Sequence, residues 1–329
     1  MRVTVSDTGA PESDNRIGLR WWDLVPVTVL VLFVGTRDGV GTDTPTYILL
    51  FENLNATSLG AAIEQSELEL LYVALTYLVK SLGGGSGTAL LLAAVLAVVP
   101  TYIAIRRLCA NPELALGYYI LLGFYGLSFN VVRQAIAMGL ILLAYSFIRT
   151  KPVVALTLLA ASVGFHLTAA VPVAVLIILV LLPRSVRPVA VLTALVAAAI
   201  MLRGGEPISL LEDNEYGKYL TVSEGLGRYL LLIAFVLLIA YALVVTKRLS
   251  IEIAMPIIGL IFLVVGLEYV AVGRLGQYFL LFLVIAIGNA REFKLSRAGG
   301  TVVAAAAAIF FVVQTMTLAG LVPYQSWLL

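Results

Sequence analysis

Arg133, His166, Glu268 and Arg274 fall within or at the ends of long apolar runs, and Asp38, Asp43 and Glu69 follow the first such run. Ionisable groups at membrane depth are costly and usually line a cavity. An arginine offers a planar fork of donors suited to phosphate. A carboxylate or an imidazole can take a proton from a hydroxyl, or hold that hydroxyl in place. The set suits binding of an anionic, phosphate-bearing group together with activation of a hydroxyl acceptor.

Each residue also has a plainer reading. In Asn130-Val-Val-Arg-Gln-Ala-Ile-Ala137, helical spacing puts Asn130, Arg133, Gln134 and Ala137 on one face. Arg133 could merely snorkel to headgroups, but it stands at the outer end of a span, where charge statistics disfavour a casual arginine. His166, in Phe165-His-Leu-Thr-Ala-Ala170, could be a buried structural histidine. Its place at an expected helix break, on the same side as Arg133, makes a catalytic role equally admissible. Arg274 and Tyr278 lie one turn apart at the start of another span, where Arg274 could snorkel or pair with Glu268. Asp43 and Tyr47 align if a helix begins near Thr44–Pro45, since proline suits a first helical turn; Asp43 could then be only a cap. Glu69 could equally be solvated.

The elements that must position these residues are membrane helices. Of 329 residues, 61% are apolar and 12% charged, against roughly 45–50% and about 25% in soluble domains. Lipid offers no partner to free backbone groups, so long continuous apolar runs imply helices. The runs near 24–36, 88–105, 113–129, 131–148, 188–202, 227–246, 252–272, 275–290 and 300–318 read as spans. Residues 67–82 are short and charged. Residues 152–183 exceed the roughly 20 needed for one crossing, so they read as two short helices meeting near His166. The fold class is therefore an all-α polytopic membrane protein with about 10–12 transmembrane or half-membrane helices.

Basic residues gather at Arg106/Arg107, Arg149/Lys151, Arg184/Arg187 and Lys247/Arg248, while loops 37–67 and 203–226 are acidic. Basic loops face the cytoplasm, so the acidic loops face outward and the polar segment 1–20 is cytoplasmic. No cleavable signal is expected before the first span, and residues 21–329 read as one multi-helix domain. On this reading 67–82 lies along or dips into the outer face; in the alternative it spans and the N-terminus is outside. Net charge is +2 and no basic tract suggests nucleic acid. Cys109 is the only cysteine and His166 the only histidine, which excludes a disulfide framework and a zinc site resting on several histidines.

The pieces Gly41-Thr-Asp-Thr with Tyr47 and Phe51, Glu69 with Tyr72, Asn130 with Arg133-Gln134 and Ala137, Phe165-His166 with Ala169, Arg274 with Tyr278-Phe279, and Val322-Pro-Tyr324 occur in this order. Together they resemble the EpsG family, the Wzy-like polymerases of bacterial exopolysaccharide and O-antigen synthesis. The resemblance runs from Arg37 to Tyr324. It departs at Glu69-Leu-Leu-Tyr72, where the family usually has Glu-Pro-Gly-aromatic. It implies a bundle like that of the GT-C membrane glycosyltransferases, in the plasma membrane, joining polyprenyl-pyrophosphate-linked glycans, donor and acceptor both. It also implies Asp43, His166 and Glu69 as catalytic candidates, with Arg133, Gln134, Arg274, Tyr278, Tyr47, Asn130 and Arg37 binding substrate. Asp43 is the first candidate to orient or deprotonate the acceptor hydroxyl, with His166 competing. No cofactor is expected; Asp38, Asp43 and Glu69 could hold a divalent ion, though no ligand spacing is diagnostic. Chain-length regulator or export proteins are admissible partners. A flippase of lipid-linked sugars or a membrane acyltransferase are the other readings.

Overall fold

The computed structural model describes residues 20–183, 185–189, 191, 226–246, 249–266, 270–289 and most of 304–327. Most of the expected span 188–202, residues 203–225 of the second acidic loop, Arg184, Lys247, Arg248, Glu268 and all but Arg20 of segment 1–20 lie outside the described residues. Regular structure among the described residues is helical, apart from one isolated antiparallel bridge between Arg37 and Ser326. The chain forms two compact units: one of Ser13–Leu108, Leu122–Ala170 and Phe311–Leu329, the other of Met1–Glu12, Cys109–Leu121 and Val171–Phe310.

The first unit is built on α5 (Ser86–Leu108), whose 23 residues make it the longest spanning candidate among the described residues. Helix α1 (Leu24–Gly35) runs antiparallel along it. At one end, Asp23 Oδ1 accepts from the Tyr102 hydroxyl at 2.9 Å and lies 3.4 Å from Arg106 Nε. Both partners are buried, and breaking such a pair typically costs about 3–5 kcal/mol. At the other end of α1 the chain turns into α2 (Thr44–Asn53), which buries Thr44, Tyr47 and Phe51 along one face and packs on α5. Pro45 pre-sets its first turn. Helix α3 (Leu59–Gln65) is capped by Ser58, whose Oγ accepts from Ala61 N at 3.2 Å.

Helix α4 (Leu70–Ser81) covers most of the short, charged segment 67–82. Glu69, at its start, meets Arg133. Near its end, Lys80 Nζ donates to the carbonyls of Phe51 and Glu52 at 3.0 and 2.8 Å, closing the last turn of α2. Both ends of α4 thus belong to the end of the unit opposite Asp23–Arg106, and α4 does not traverse the bundle.

Helices α8 (Val132–Phe147) and α9 (Pro152–Phe165) complete this unit. Val132, Ala135, Ile136 and Leu140 of α8 interlock with Leu90, Ala93 and Ala97 of α5. Farther along, Arg107 Nε donates to Ser146 Oγ at 3.1 Å, so α8 runs parallel to α5. Helix α9 returns along α8 and ends at His166, whose extended backbone (φ −157°, ψ 114°) stops the helix before α10 (Ala170–Leu181). The expected break within 152–183 is present, with helices of 14 and 12 residues on either side.

The run 113–129 is not one helix. It splits into α6 (Pro112–Leu121) and α7 (Leu127–Asn130), because Gly123 takes φ +82°, a left-handed conformation that only glycine adopts freely. Likewise 252–272 and 275–290 are divided differently from the hydropathy reading: α12 (Ile251–Val265) stops at Gly266, and α13 (Val270–Leu280) and α14 (Phe282–Asn289) follow.

The second unit holds α6, α10, α11 (Leu226–Thr246), α12, α13 and α14. Asn111 N donates to Gly288 O at 2.9 Å and Ala110 N to Asn289 Oδ1 at 2.8 Å, tying the start of α6 to the end of α14. Phe262 and Phe279 stack at 5.2 Å between α12 and α13. By length and composition Ser86–Leu108 and Val272–Asn289 can each cross a bilayer, and several apolar helices of 10–17 residues accompany them. The fold is that of an all-α polytopic membrane protein.

Candidate active site

Glu69 begins α4 in extended conformation (φ −66°, ψ 145°), and its side chain does not cap the helix. Its carboxylate instead reaches two other elements. Arg133, in the first turn of α8, donates through Nη1 to Oε2. His166, at the end of α9, places Nδ1 2.5 Å from Oε1, and the Leu167 amide donates to the same oxygen at 3.2 Å. Side-chain exposures of 25% for Arg133, 17% for Glu69 and 22% for His166 leave all three within reach of a ligand.

Burial alone would raise the Glu69 pKa, but the hydrogen bond to His166 and the charge of Arg133 outweigh it and hold the carboxyl at about 2. Glu69 is therefore an acceptor only. The proton in its short contact with His166 sits on Nδ1, and in the neutral imidazole the lone pair is then on Nε2.

Tyr47 of α2 is the second hydrogen-bond partner of Arg133. Burial pushes its phenol up, so it acts as a neutral hydroxyl. Its ring sits 5.5 Å from that of Tyr72, which is buried behind Glu69 on α4. Arg133 Nε is buried without a hydrogen-bond partner.

The 37–43 loop is held over this cluster by a second network. Asn130 Oδ1 accepts from the Thr42 amide at 2.7 Å and from Thr42 Oγ1 at 3.2 Å. Gly41 has φ +93°, and a Cβ there would lie 2.6 Å from Phe129 O. Arg37, 1% exposed, donates through Nε to Thr44 Oγ1 at 2.9 Å and through Nη1 to Val34 O at 2.7 Å. Burial lowers its pKa to about 10. It braces the loop from beneath and is not brought to Glu69. Asp43 stands at the N-cap position of α2 but makes no capping bond; its Oδ1 accepts from Thr42 Oγ1 at 3.0 Å.

Residues 320–327 lie across the same loop. Asp38 N donates to Gln325 O, Gly41 N to Gly320 O and Trp327 N to Thr36 O, each at 3.0 Å. Tyr324 stacks on Phe33 at 4.3 Å and donates to Phe33 O at 2.9 Å.

Among the residues expected from sequence, the structure thus joins Glu69, Arg133, His166 and Tyr47, with Asp43 on the adjoining loop and Asn130, at the end of α7, bonded to that loop. Asn130 does not share a helix face with Arg133, because Val131 (φ −89°, ψ 62°) interrupts the helix and turns Asn130 towards Thr42. Gln134 points inward, 3% exposed, with Nε2 3.9 Å from Met138 Sδ. Arg274 and Tyr278 belong to α13 of the other unit, Arg274 exposed and Tyr278 buried. Asp38, Asp43 and Glu69 do not converge: among the described residues no three His, Cys, Asp or Glu side chains could jointly hold a metal ion. Sequence reasoning missed the Glu69–His166 pair and the packing of 320–327 on the loop. Partners 97 and 291 positions apart leave no periodic signal.

No curated protein and no solved structure matches the chain. The EpsG family profile matches residues 20–326. That match covers nearly the whole chain, including every element that builds the Glu69–Arg133–His166 cluster, and the chain belongs to the EpsG family.

Proposed function

We propose that this protein joins polyprenyl-pyrophosphate-linked oligosaccharide repeat units into a polysaccharide at the outer face of the plasma membrane. Family membership supports a polysaccharide polymerase-like role in general. The observation that carries the finer reading is the cluster itself: an arginine with one buried, unpartnered N–H, beside a carboxylate–imidazole pair. Cleavage of a glycosyl pyrophosphate builds negative charge on the leaving group, and an arginine placed there lowers the barrier. Arg133 takes that role in this reading. Tyr47 and Asn130 line the approach, and the apolar helices hold the prenyl tails. The acidic loop 37–67 and the basic ends near Arg106 and Lys151 support the outward placement.

The test is incubation of purified protein with lipid-linked repeat units, followed by a gel for chain growth. Wild type is expected to give a ladder. Arg133→Lys keeps the charge but loses the fork that engages Glu69 and Tyr47 together, and should lose most of the growth. Wild-type growth in Arg133→Ala would end the assignment of this arginine.

A further inference from the structure

We propose that His166 Nε2 is the base that takes the proton from the acceptor hydroxyl, and that Glu69 is the residue positioning it. This rests on the glycosyl-transfer reading above. It reverses the order suggested by sequence, in which Asp43 comes first.

The argument is geometric. Glu69 Oε1 faces Nδ1 at 2.5 Å and is held by the Leu167 amide at 3.2 Å. Its other oxygen is held by Arg133 on α8. A carboxylate fixed by α8 and by the turn after α9 fixes the imidazole's orientation and tautomer. Nε2 is left as the lone-pair atom. When Nε2 accepts a proton, the new cation lies against an anion already in place, so no reorganisation is needed at that moment. Asp43 has no such arrangement: its carboxylate accepts from its neighbour Thr42 on the loop.

The step balances. The acceptor O–H bond breaks and its proton goes to Nε2. The acceptor oxygen bonds the anomeric carbon. The bond from that carbon to the pyrophosphate oxygen breaks, and its electron pair leaves with the polyprenyl pyrophosphate. The imidazolium then returns its proton to water.

The ionisable groups near His166 on the elements packed against it are Glu69 and Tyr72 of α4 and Arg133 of α8, with Tyr47 of α2 beyond Arg133. Of these, Glu69 is the anion, and it favours the protonated imidazole. Replacing Glu69 by Gln keeps an acceptor for Nδ1–H but removes the charge. The acid limb of the kcat/KM profile should then move to lower pH.

The experiment measures chain growth against pH for wild type, His166→Gln, Glu69→Gln and Asp43→Asn, with donor-lipid binding recorded for each. His166→Gln should bind donor lipid as wild type does and lose on the order of 100-fold in kcat. Glu69→Gln should show the shifted acid limb, and Asp43→Asn should keep the wild-type limb whatever its rate. A His166→Gln protein that retains more than a tenth of wild-type kcat overturns the inference. So does an acid limb that moves in Asp43→Asn and not in Glu69→Gln. Absence of chain growth by wild type would remove the glycosyl-transfer reading itself, and this inference with it. Wild-type growth with unshifted variants would remove this inference alone.

Discussion

Gly41 is the tightest point of the site loop. Its φ of +93° and the 2.6 Å approach of Phe129 O to any Cβ leave no room for a side chain. The left-handed region alone costs an L-residue about 1–2 kcal/mol, and the contact with backbone cannot relax by a rotamer change. Gly41→Ala should therefore push Thr42 off Asn130 and cut chain growth at least ten-fold, with membrane insertion intact. Pulse-labelled expression beside the gel assay would separate the two effects; undiminished growth would show that this loop does not shape the site. At this scale much was legible in the sequence. Arg133 and His166 stood out as costly charges among apolar neighbours, and Asp43 and Tyr47 as a pair at a helix start. The partner of each was not legible, because Arg133 and Glu69 are 64 positions apart and no pattern of hydropathy encodes that pairing. Arg37 entered only through the family resemblance, and the structure gives it a buried, bracing place.

At the scale of elements, length and charge were good guides where the chain stays apolar. The helix break at His166 followed from too many residues for one crossing with basic residues at both ends. The division of 113–129 did not follow, because one glycine at φ +82° suffices to end a helix and hydropathy does not see φ. The interruption at Val131 is similar: helical spacing placed Asn130 beside Arg133, whereas the break sends the two side chains to different partners. The packing of residues 320–327 on the loop makes a further prediction. Tyr324→Ala removes a stacked ring and a hydroxyl bond to Phe33 O, together worth about 1–3 kcal/mol. Amide hydrogen exchange at Asp38 and Gly41 should then speed up about ten-fold or more, while exchange in the middle of α5 stays unchanged. Equal protection of Asp38 and Gly41 in the variant would show that the loop holds itself.

On the scale of the molecule, the first unit separates its charges. Arg106, Arg107 and Lys151 stand at the end where Asp23 lies, and Glu69, Arg133 and His166 stand at the opposite end. Combined with the charge rule, this supports the proposed outward orientation of the site. Cys109 is buried and is the only cysteine, so Cys109→Ala gives a clean background for labelling. Glu64→Cys should react with an impermeant maleimide in intact cells, and Lys151→Cys only after permeabilisation. The reverse pattern would turn the protein over and deny the site access to the outer leaflet.

The backbone pairing of Thr36–Gly41 with residues 320–327 also has a consequence for synthesis. Its two segments are separated by about 290 positions. At roughly 5–20 residues per second, the ribosome takes about 15–60 s to deliver the second segment after the first has emerged. Throughout that time α1, α2 and α4 can already be in the membrane, but the loop above them lacks the donors and acceptors that residues 320–327 supply. A translation product that stalls before residue 320 carries Glu69, Arg133 and His166 and still lacks the clasp on their loop. Synthesis of residues 320–327 is thus coupled to assembly of the site.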